Sequence, residues 1–248
     1  MKLTVVGCAG SFPRADSACS AYLVEAEGFR LLLDMGNGAL GALQRHIGLY
    51  DLDAILLTHL HADHCLDACS YVVARRFGPD PLPALPLYAP AGAMERLARA
   101  YEVDSAETDL GDVYDEQVLS PGVRDVGPFR VTADRTAHPV ETYGVRVEHG
   151  GRSLAYSADT GPTDAVVALA RDSDAFLCEA TFASARRNPP HLHMSGADAG
   201  EHATRAGAGR LLLTHLTAWS DPAATAGEAA ARYAGPVSVV ASGDTYDV

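Results

Sequence analysis

Thr58-His59-Leu60-His61-Ala62-Asp63-His64 follows directly on the apolar run Ala54-Ile55-Leu56-Leu57. Three imidazoles and a carboxylate, packed between positions 59 and 64 at the end of a buried strand, form a donor set for two divalent cations. Imidazole combined with carboxylate suits zinc, manganese or iron, whereas thiolate-rich sets suit structural zinc. Side chains two positions apart on a strand share a face, so His59 and His61 point the same way if strand geometry persists. The chain must then turn into a helix that begins near His64, carrying Asp63 and His64 round to a second ion beside the first.

Three later segments repeat one pattern, a polar residue just past an apolar, strand-like run. His138 comes after residues 129–135, Asp159 after 153–158, and His215 after 211–214. Loops at one end of a sheet converge, so all three can reach the first cluster. The expected division puts His59, His61 and His138 on one ion and Asp63, His64 and His215 on the other, with Asp159 bridging. Zn²⁺ is the expected occupant and Mn²⁺ the alternative, since His and Asp do not choose decisively between them. Asp34 and Asp67 read as acceptors that fix the imidazoles from behind.

The order H-x-H-x-D-H, then His138, then Ser157-Ala158-Asp159-Thr160, then Thr214-His215 resembles the metallo-β-lactamase superfamily. The likeness runs from Val5-Val6-Gly7-Cys8-Ala9-Gly10-Ser11 to the C-terminus, and Leu31-Leu32-Leu33-Asp34-Met35-Gly36 is similar to the family's L-L-D-x-G element. Cys178-Glu179-Ala180-Thr181 and His193-Met194-Ser195 resemble the E-A-T and H-x-S motifs of its phosphodiesterase branch, which includes the tRNA 3′-processing endonucleases and the phosphoribosyl cyclic phosphodiesterase. Together with Gly41-Ala42-Leu43-Gln44-Arg45-His46 and the continuation Cys65-Leu66-Asp67, these motifs are similar to those of bacterial cyclic-nucleotide phosphodiesterases of this fold. The resemblance implies that His193 is a general acid whose imidazole Glu179 orients and keeps charged, so that Asp63, Glu179 and His193 carry the catalysis. His191 is the competing proton donor.

Strand candidates at 3–7, 20–25, 30–33, 54–57, 85–88, 129–133, 143–148, 154–157, 175–177, 210–213 and 237–240 alternate with helix candidates at 67–77, 91–101, 163–171, 197–206 and 223–233. Meanders and helix-linked strands recur in both halves, which fits an α/β (α+β) architecture: a four-layer αββα sandwich of two mixed sheets flanked by helices, formed by residues 1–248 as a single domain. Ser195 before Gly196-Ala197-Asp198 reads as a helix N-cap. No apolar stretch reaches the length needed to cross a bilayer, so no membrane partner is expected. Five cysteines without paired spacing imply reduced thiols and a cytoplasmic setting.

A formal net charge of −13, from 19 basic against 32 acidic residues, argues against a large nucleic acid as partner, because grip on a polyanion scales with Lys and Arg contacts. The basic pairs are Arg75-Arg76 and Arg186-Arg187. Only 21 positions separate His138 from Asp159, which leaves no room for the tRNA-gripping arm that the resemblance places there in tRNA-processing relatives. A small phosphodiester remains suitable, because two cations roughly 3.5–4 Å apart activate water and clamp the phosphoryl oxygens. The expected activity is hydrolysis of a 3′,5′-cyclic nucleotide such as cyclic AMP to its 5′-monophosphate. The alternatives are a phosphoribosyl or 2′,3′-cyclic phosphate, then tRNA 3′ trimming, then lactone hydrolysis, then a metal-bound interaction or sensing domain without turnover. Substrate contacts are expected from Ser11, Arg14 and Ser17 in the loop after the first strand, and from Trp219, the only tryptophan. A homodimer is left open.

Overall fold

The computed structural model describes residues 1–102, 108–184 and 188–248. The Arg186-Arg187 pair lies outside the described residues. In chain order the first half carries β1 (Lys2–Ala9), β2 (Ala18–Cys19), β3 (Ala21–Ala26), β4 (Phe29–Leu33), α1 (Ala39–Leu43), β5 (Ala54–Leu56), α2 (Ala62–Cys65), α3 (Asp67–Arg76), β6 (Leu85–Ala89), α4 (Ala93–Tyr101) and β7 (Tyr114–Val118). The second half carries β8 (Gly122–Val126), β9 (Phe129–Arg135), β10 (Tyr143–His149), β11 (Arg152–Tyr156), α5 (Asp164–Leu169), β12 (Ala175–Glu179), α6 (Gly196–Ala206), β13 (Leu211–Thr214), α7 (Pro222–Ala230), β14 (Val237–Val239) and β15 (Thr245–Asp247).

The strands form two mixed sheets, ordered β15-β1-β3-β4-β5-β6-β7, with β2 attached to β1, and β14-β13-β12-β11-β10-β9-β8. Both follow one plan. In the first, β1, β3 and β4 pair antiparallel, after which β4, β5, β6 and β7 run parallel. In the second, β9, β10 and β11 pair antiparallel, after which β11, β12, β13 and β14 run parallel. Asp34 and Asp159 therefore follow equivalent strands, β4 and β11, and no sequence repeat announces it.

The apolar runs explain the layering. Along β4, Leu31 and Leu33 point into the core between the sheets while Leu32 packs against the outer helices. Along β12, Leu177 faces that inner core while Phe176 and Cys178 face α5 and α6. Strands apolar on both faces must be covered on both faces, and a four-layer αββα sandwich results. The expected strands and helices are present, with ends shifted by a few residues, and Ser195 caps α6 through a capping box with Asp198. Missing from the expectation are the short elements β2, α1 and β15, and the two five-residue strands β7 and β8. Their sequences, Tyr-Asp-Glu-Gln-Val and Gly-Val-Arg-Asp-Val, are polar and largely exposed because each lies at a sheet edge, where a charged strand resists unwanted pairing. Among the described residues no helix is long and apolar enough to cross a membrane.

Candidate metal centre

β5 ends at Leu56, earlier than the alternation of His59 and His61 suggests, and the chain reaches α2 through a short loop in which His61 occupies the N-cap. The helix begins at Ala62 rather than near His64, and its single turn carries Asp63 and His64. Four non-glycine residues around this point hold positive φ: Ser11 (66°), Asp34 (61°), Ala158 (52°) and His215 (59°). Each such residue costs about 1–3 kcal/mol, and strain of this kind gathers where geometry serves function. Gly36 completes the L-L-D-x-G element for a steric reason: a Cβ there would lie 1.9 Å from the Asp63 carbonyl oxygen.

Two four-donor groups share one carboxylate. The first comprises His59, His61, His138 and Asp159, the second Asp63, His64, His215 and Asp159, with the donor atoms of each group within 4.8 Å of one another. In the first, His59 Nε2 and His138 Nε2 lie 3.1 and 3.2 Å from His61 Nδ1. In the second, His64 Nε2 lies 3.2 Å from both His215 Nε2 and Asp159 Oδ1. Two nitrogens on a tetrahedral zinc at about 2.0–2.1 Å sit roughly 3.3 Å apart, so these separations suit a shared cation.

Neighbouring acceptors fix which ring nitrogen faces inward. Nδ1–H of His59 donates to Thr58 Oγ1 at 3.1 Å, that of His64 to Asp34 at 2.8 Å, and that of His138 to the Leu192 carbonyl at 2.9 Å. His215 Nδ1–H donates to Thr181 Oγ1 at 2.8 Å. These tautomers are assigned from the acceptors, and they leave Nε2 lone pairs turned toward one another. Facing lone pairs repel unless a cation lies between them. Asp159 Oδ1 is buried without a hydrogen-bond partner, which is costly for a carboxylate unless positive charge is supplied. Burial pushes the His64 imidazole down, yet the charges of Asp159 and Asp34 outweigh it and favour positive charge at this position, carried by a proton on Nε2 or by a cation in its place. Asp63 is held below the usual carboxylate range, where burial opposes and the hydrogen bond and charge of His215 and the charge of His64 prevail. The residues present fit divalent cations.

Glu179 closes the site from β12. Its Oε1 accepts from Thr160 N–H at 2.7 Å and His193 Nδ1–H at 2.8 Å, and its Oε2 accepts from Thr181 Oγ1–H at 2.8 Å and Thr181 N–H at 3.3 Å. Four donors saturate a carboxylate, so although Glu179, His193 and His215 also lie close together, that trio is a hydrogen-bond relay rather than a third cation site. Burial disfavours the charged form of His193, but Glu179 more than compensates and lifts it to about 9. The His193 ring lies 5.5 Å from that of His138 and 5.6 Å from that of His215, beside both donor groups.

A beta-lactamase superfamily domain model matches residues 29–216. The chain is 42% identical over 253 residues to an uncharacterized protein of Mycobacterium leprae, covering all of this chain and 89% of that protein. It is 32% identical, over the full length of both, to the probable metallo-hydrolase YhfI of Bacillus subtilis, and the YhfI crystal structure superposes with a TM-score of 0.89 over 99% of this chain and 98% of that one. A ribonuclease Z of Mycolicibacterium gilvum is 31% identical across 90% of this chain and 86% of that protein. The chain belongs to the beta-lactamase superfamily. Its fold, its relatives and its converging His and Asp side chains make it a metal-dependent hydrolase.

Within this superfamily fold, one expected contact needs correction and the remaining expected residues fall at different places. Asp67 does not hold an imidazole. Its carboxylate accepts from Leu40 N–H at 2.8 Å and thereby caps α1, a short helix whose left-handed Gly38 N-cap supplies no side chain. Asp67→Ala should therefore lower stability by about 1 kcal/mol while metal content by elemental analysis stays unchanged. Loss of metal from that variant would restore the original assignment. Ser11 meets the centre through its backbone, donating N–H to Asp63 Oδ2 at 2.9 Å. Ser17 is buried and accepts from Cys8 N–H, so it is part of the scaffold. Arg14 pairs with Asp16 at 3.2 Å and lines a separate cavity of about 380 Å³ whose lining includes none of the candidate donors. The His191 side chain is exposed and belongs to neither four-donor group among the described residues. Trp219 stands at the rim, its ring 5.7 Å from that of Phe12.

The supporting residues that sequence reasoning missed are Thr58, Tyr156, Thr160 and Thr181. Thr58 and Tyr156 donate to Asp34, the latter at 2.9 Å, and Thr160 and Thr181 donate to Glu179. Each adjoins a motif residue in sequence or in register, and that adjacency was the available signal.

Proposed function

We propose that this chain is a phosphodiesterase using two divalent cations to hydrolyse a cyclic nucleotide, a 3′,5′-cyclic one such as cyclic AMP, to the 5′-monophosphate. The observation that carries the reading is the Glu179–His193 pair set beside two donor groups that share Asp159. Hydrolysis of a phosphodiester needs a nucleophile, charge neutralisation at the phosphoryl oxygens and a proton for the leaving alkoxide. Bound cations supply the first two, Zn²⁺ being our choice and Mn²⁺ the alternative. His59, His61 and His138 would hold one and Asp63, His64 and His215 the other, with Asp159 between them.

The chain's own residues supply the proton. Glu179, held by three N–H and O–H donors besides His193, fixes the imidazole with Nδ1 occupied, so that Nε2 is the nitrogen free to donate. Glu179 also favours the protonated ring, which an acid must start from. A thioester has less need of this device, because its thiolate departs readily without a proton, whereas a lactone also expels an alkoxide and is separated by the substrate panel below.

The relative named ribonuclease Z supports tRNA 3′ trimming as the second reading. Against it stand the net charge of −13 and the direct β10–β11 hairpin, which turns at Gly150 and Gly151 with no inserted arm. The test is a substrate panel with added zinc or manganese: 3′,5′- and 2′,3′-cyclic nucleotides, a phosphoribosyl cyclic phosphate, precursor tRNA and an acyl-homoserine lactone. We expect the 3′,5′-cyclic nucleotide to give the highest kcat/KM and precursor tRNA to bind weakly even at low salt. Efficient trimming of tRNA trailers would replace this proposal with the second reading.

A further inference from the structure

A cavity of about 400 Å³ adjoins the Glu179 relay, lined by Thr181, Phe182, Asn188, Trp219, Asp221 and Glu228 among others. Two of its lining residues touch the centre. Thr181 Oγ1 lies 2.8 Å from His215 Nδ1, and the Phe182 ring meets that of His193 edge-on at 5.1 Å. Trp219 in its lining is 70% exposed, and its ring is tilted 44° against that of the neighbouring, 42% exposed Phe12. Two adjoining aromatic rings left in water, one of them lining a cavity, mark a surface suited to being covered.

The polar lining is specific in kind. Asp221 uses one carboxylate oxygen, Oδ1, to cap α7, and Glu228 accepts from Ser184, so both carboxylates are held in place with acceptor capacity to spare. The Asn188 amide is anchored through Nδ2 to the Ala183 carbonyl, which leaves its oxygen as an acceptor. Among the described residues the charged side chains lining the cavity are these two carboxylates. The lining thus combines aromatic rings with side-chain acceptors.

We propose that this cavity receives the base of the substrate, stacked on Trp219 with an amino-bearing edge turned to Asp221, Glu228 and Asn188. The proposal rests on the phosphodiesterase reading for the position of the phosphate, but not for the nature of the ligand. Adenine suits the acceptors because it presents an exocyclic amine, whereas hypoxanthine presents a carbonyl at the same position and meets carboxylates with a lone pair.

Trp219 is the chain's only tryptophan, so its fluorescence reports this cavity directly. Adenosine, which carries no phosphate, should quench it saturably, inosine should bind several-fold more weakly, and ribose 5-phosphate should leave it unchanged. In turnover, Trp219→Ala should raise KM for 3′,5′-cyclic AMP about tenfold with a smaller change in kcat, and Trp219→Phe should recover most of the loss, since stacking on an aromatic ring contributes on that scale. Absence of a saturable response to adenosine, or equal responses to adenosine and inosine, would overturn the assignment. The two readings fail separately. A protein that binds adenosine here but hydrolyses no cyclic nucleotide keeps the base site and loses the phosphodiesterase. One that hydrolyses cyclic AMP with an unresponsive tryptophan and an unchanged KM in Trp219→Ala does the reverse.

Discussion

Replacing Asp159 by alanine should empty both cation sites at once and abolish turnover. Its carboxylate is the donor common to the two groups, with Oδ2 3.7 Å from His59 Nε2 on one side and Oδ1 3.2 Å from His64 Nε2 on the other. Without it, each site drops to three protein donors, and two cations would face each other across the cluster with a negative charge fewer between them. The loss of activity should exceed the roughly 10–100-fold that removal of a residue behind the ligands costs. Thermal stability supplies a second readout. A ligand that binds only the folded state stabilises it by about 4 kcal/mol at a thousand times its Kd, so the wild-type melting temperature should rise on adding zinc and fall with a chelator. The Asp159→Ala curve should barely respond. Elemental analysis showing two ions retained in the variant, or fewer than two in fully active wild-type enzyme, would refute the shared-carboxylate arrangement.

The donor residues were legible because each follows an apolar run. A strand buried on both faces has no alternation, and where the run stops the chain has reached the sheet edge, so polar residues there converge. His59, Asp159 and His215 are found by this rule, whereas His138 follows β9, an alternating strand with one face exposed, and is found by its place just past that strand. The same rule fails for strands that bury little. In β8, Val123 is 53% exposed and only Val126 is buried, so no apolar signal marks a strand that the hydrogen bonds to β9 define.

Asp67 shows a different limit. A carboxylate three residues after a ligand histidine and near the start of a helix has the spacing of an outer partner, and Asp34 has no better credentials in sequence. What separates them is backbone conformation. Asp34, at φ 61°, turns its carboxylate back under the cluster, where Thr58, His64 and Tyr156 all donate to it. Asp67 opens α3 in ordinary helical geometry and reaches across to α1 instead. Tyr156 and Thr181 receive no role from the sequence for a related reason: one reads as part of a strand and the other only as the end of the E-A-T motif until the fold sets their hydroxyls against Asp34 and Glu179.

His193→Ala should cut turnover of a cyclic nucleotide by roughly 10²–10⁴-fold while leaving metal content intact, because a general acid contributes on that scale and this side chain belongs to neither four-donor group. The size of the loss should depend on the leaving group. Opening a cyclic nucleotide expels a ribose alkoxide, which cannot depart without a proton, whereas bis(p-nitrophenyl) phosphate expels a stable nitrophenolate to which a donor adds little. The loss should therefore shrink towards unity on the activated ester. Glu179→Gln should give a milder version of the same pattern, since the amide still accepts a hydrogen bond from Nδ1 but no longer favours the charged ring. The direction of the pH effect follows: an acid must begin protonated, so the rate on the cyclic nucleotide falls as pH rises through the titration of His193. That limb lies at or below the value of about 9 set by burial and Glu179, because neighbouring cations favour the neutral imidazole. It should be absent from the profile of the activated ester. Equal losses on both substrates, or loss of metal on mutation, would make His193 a structural residue or a ligand, and the proton would then have to come from solvent.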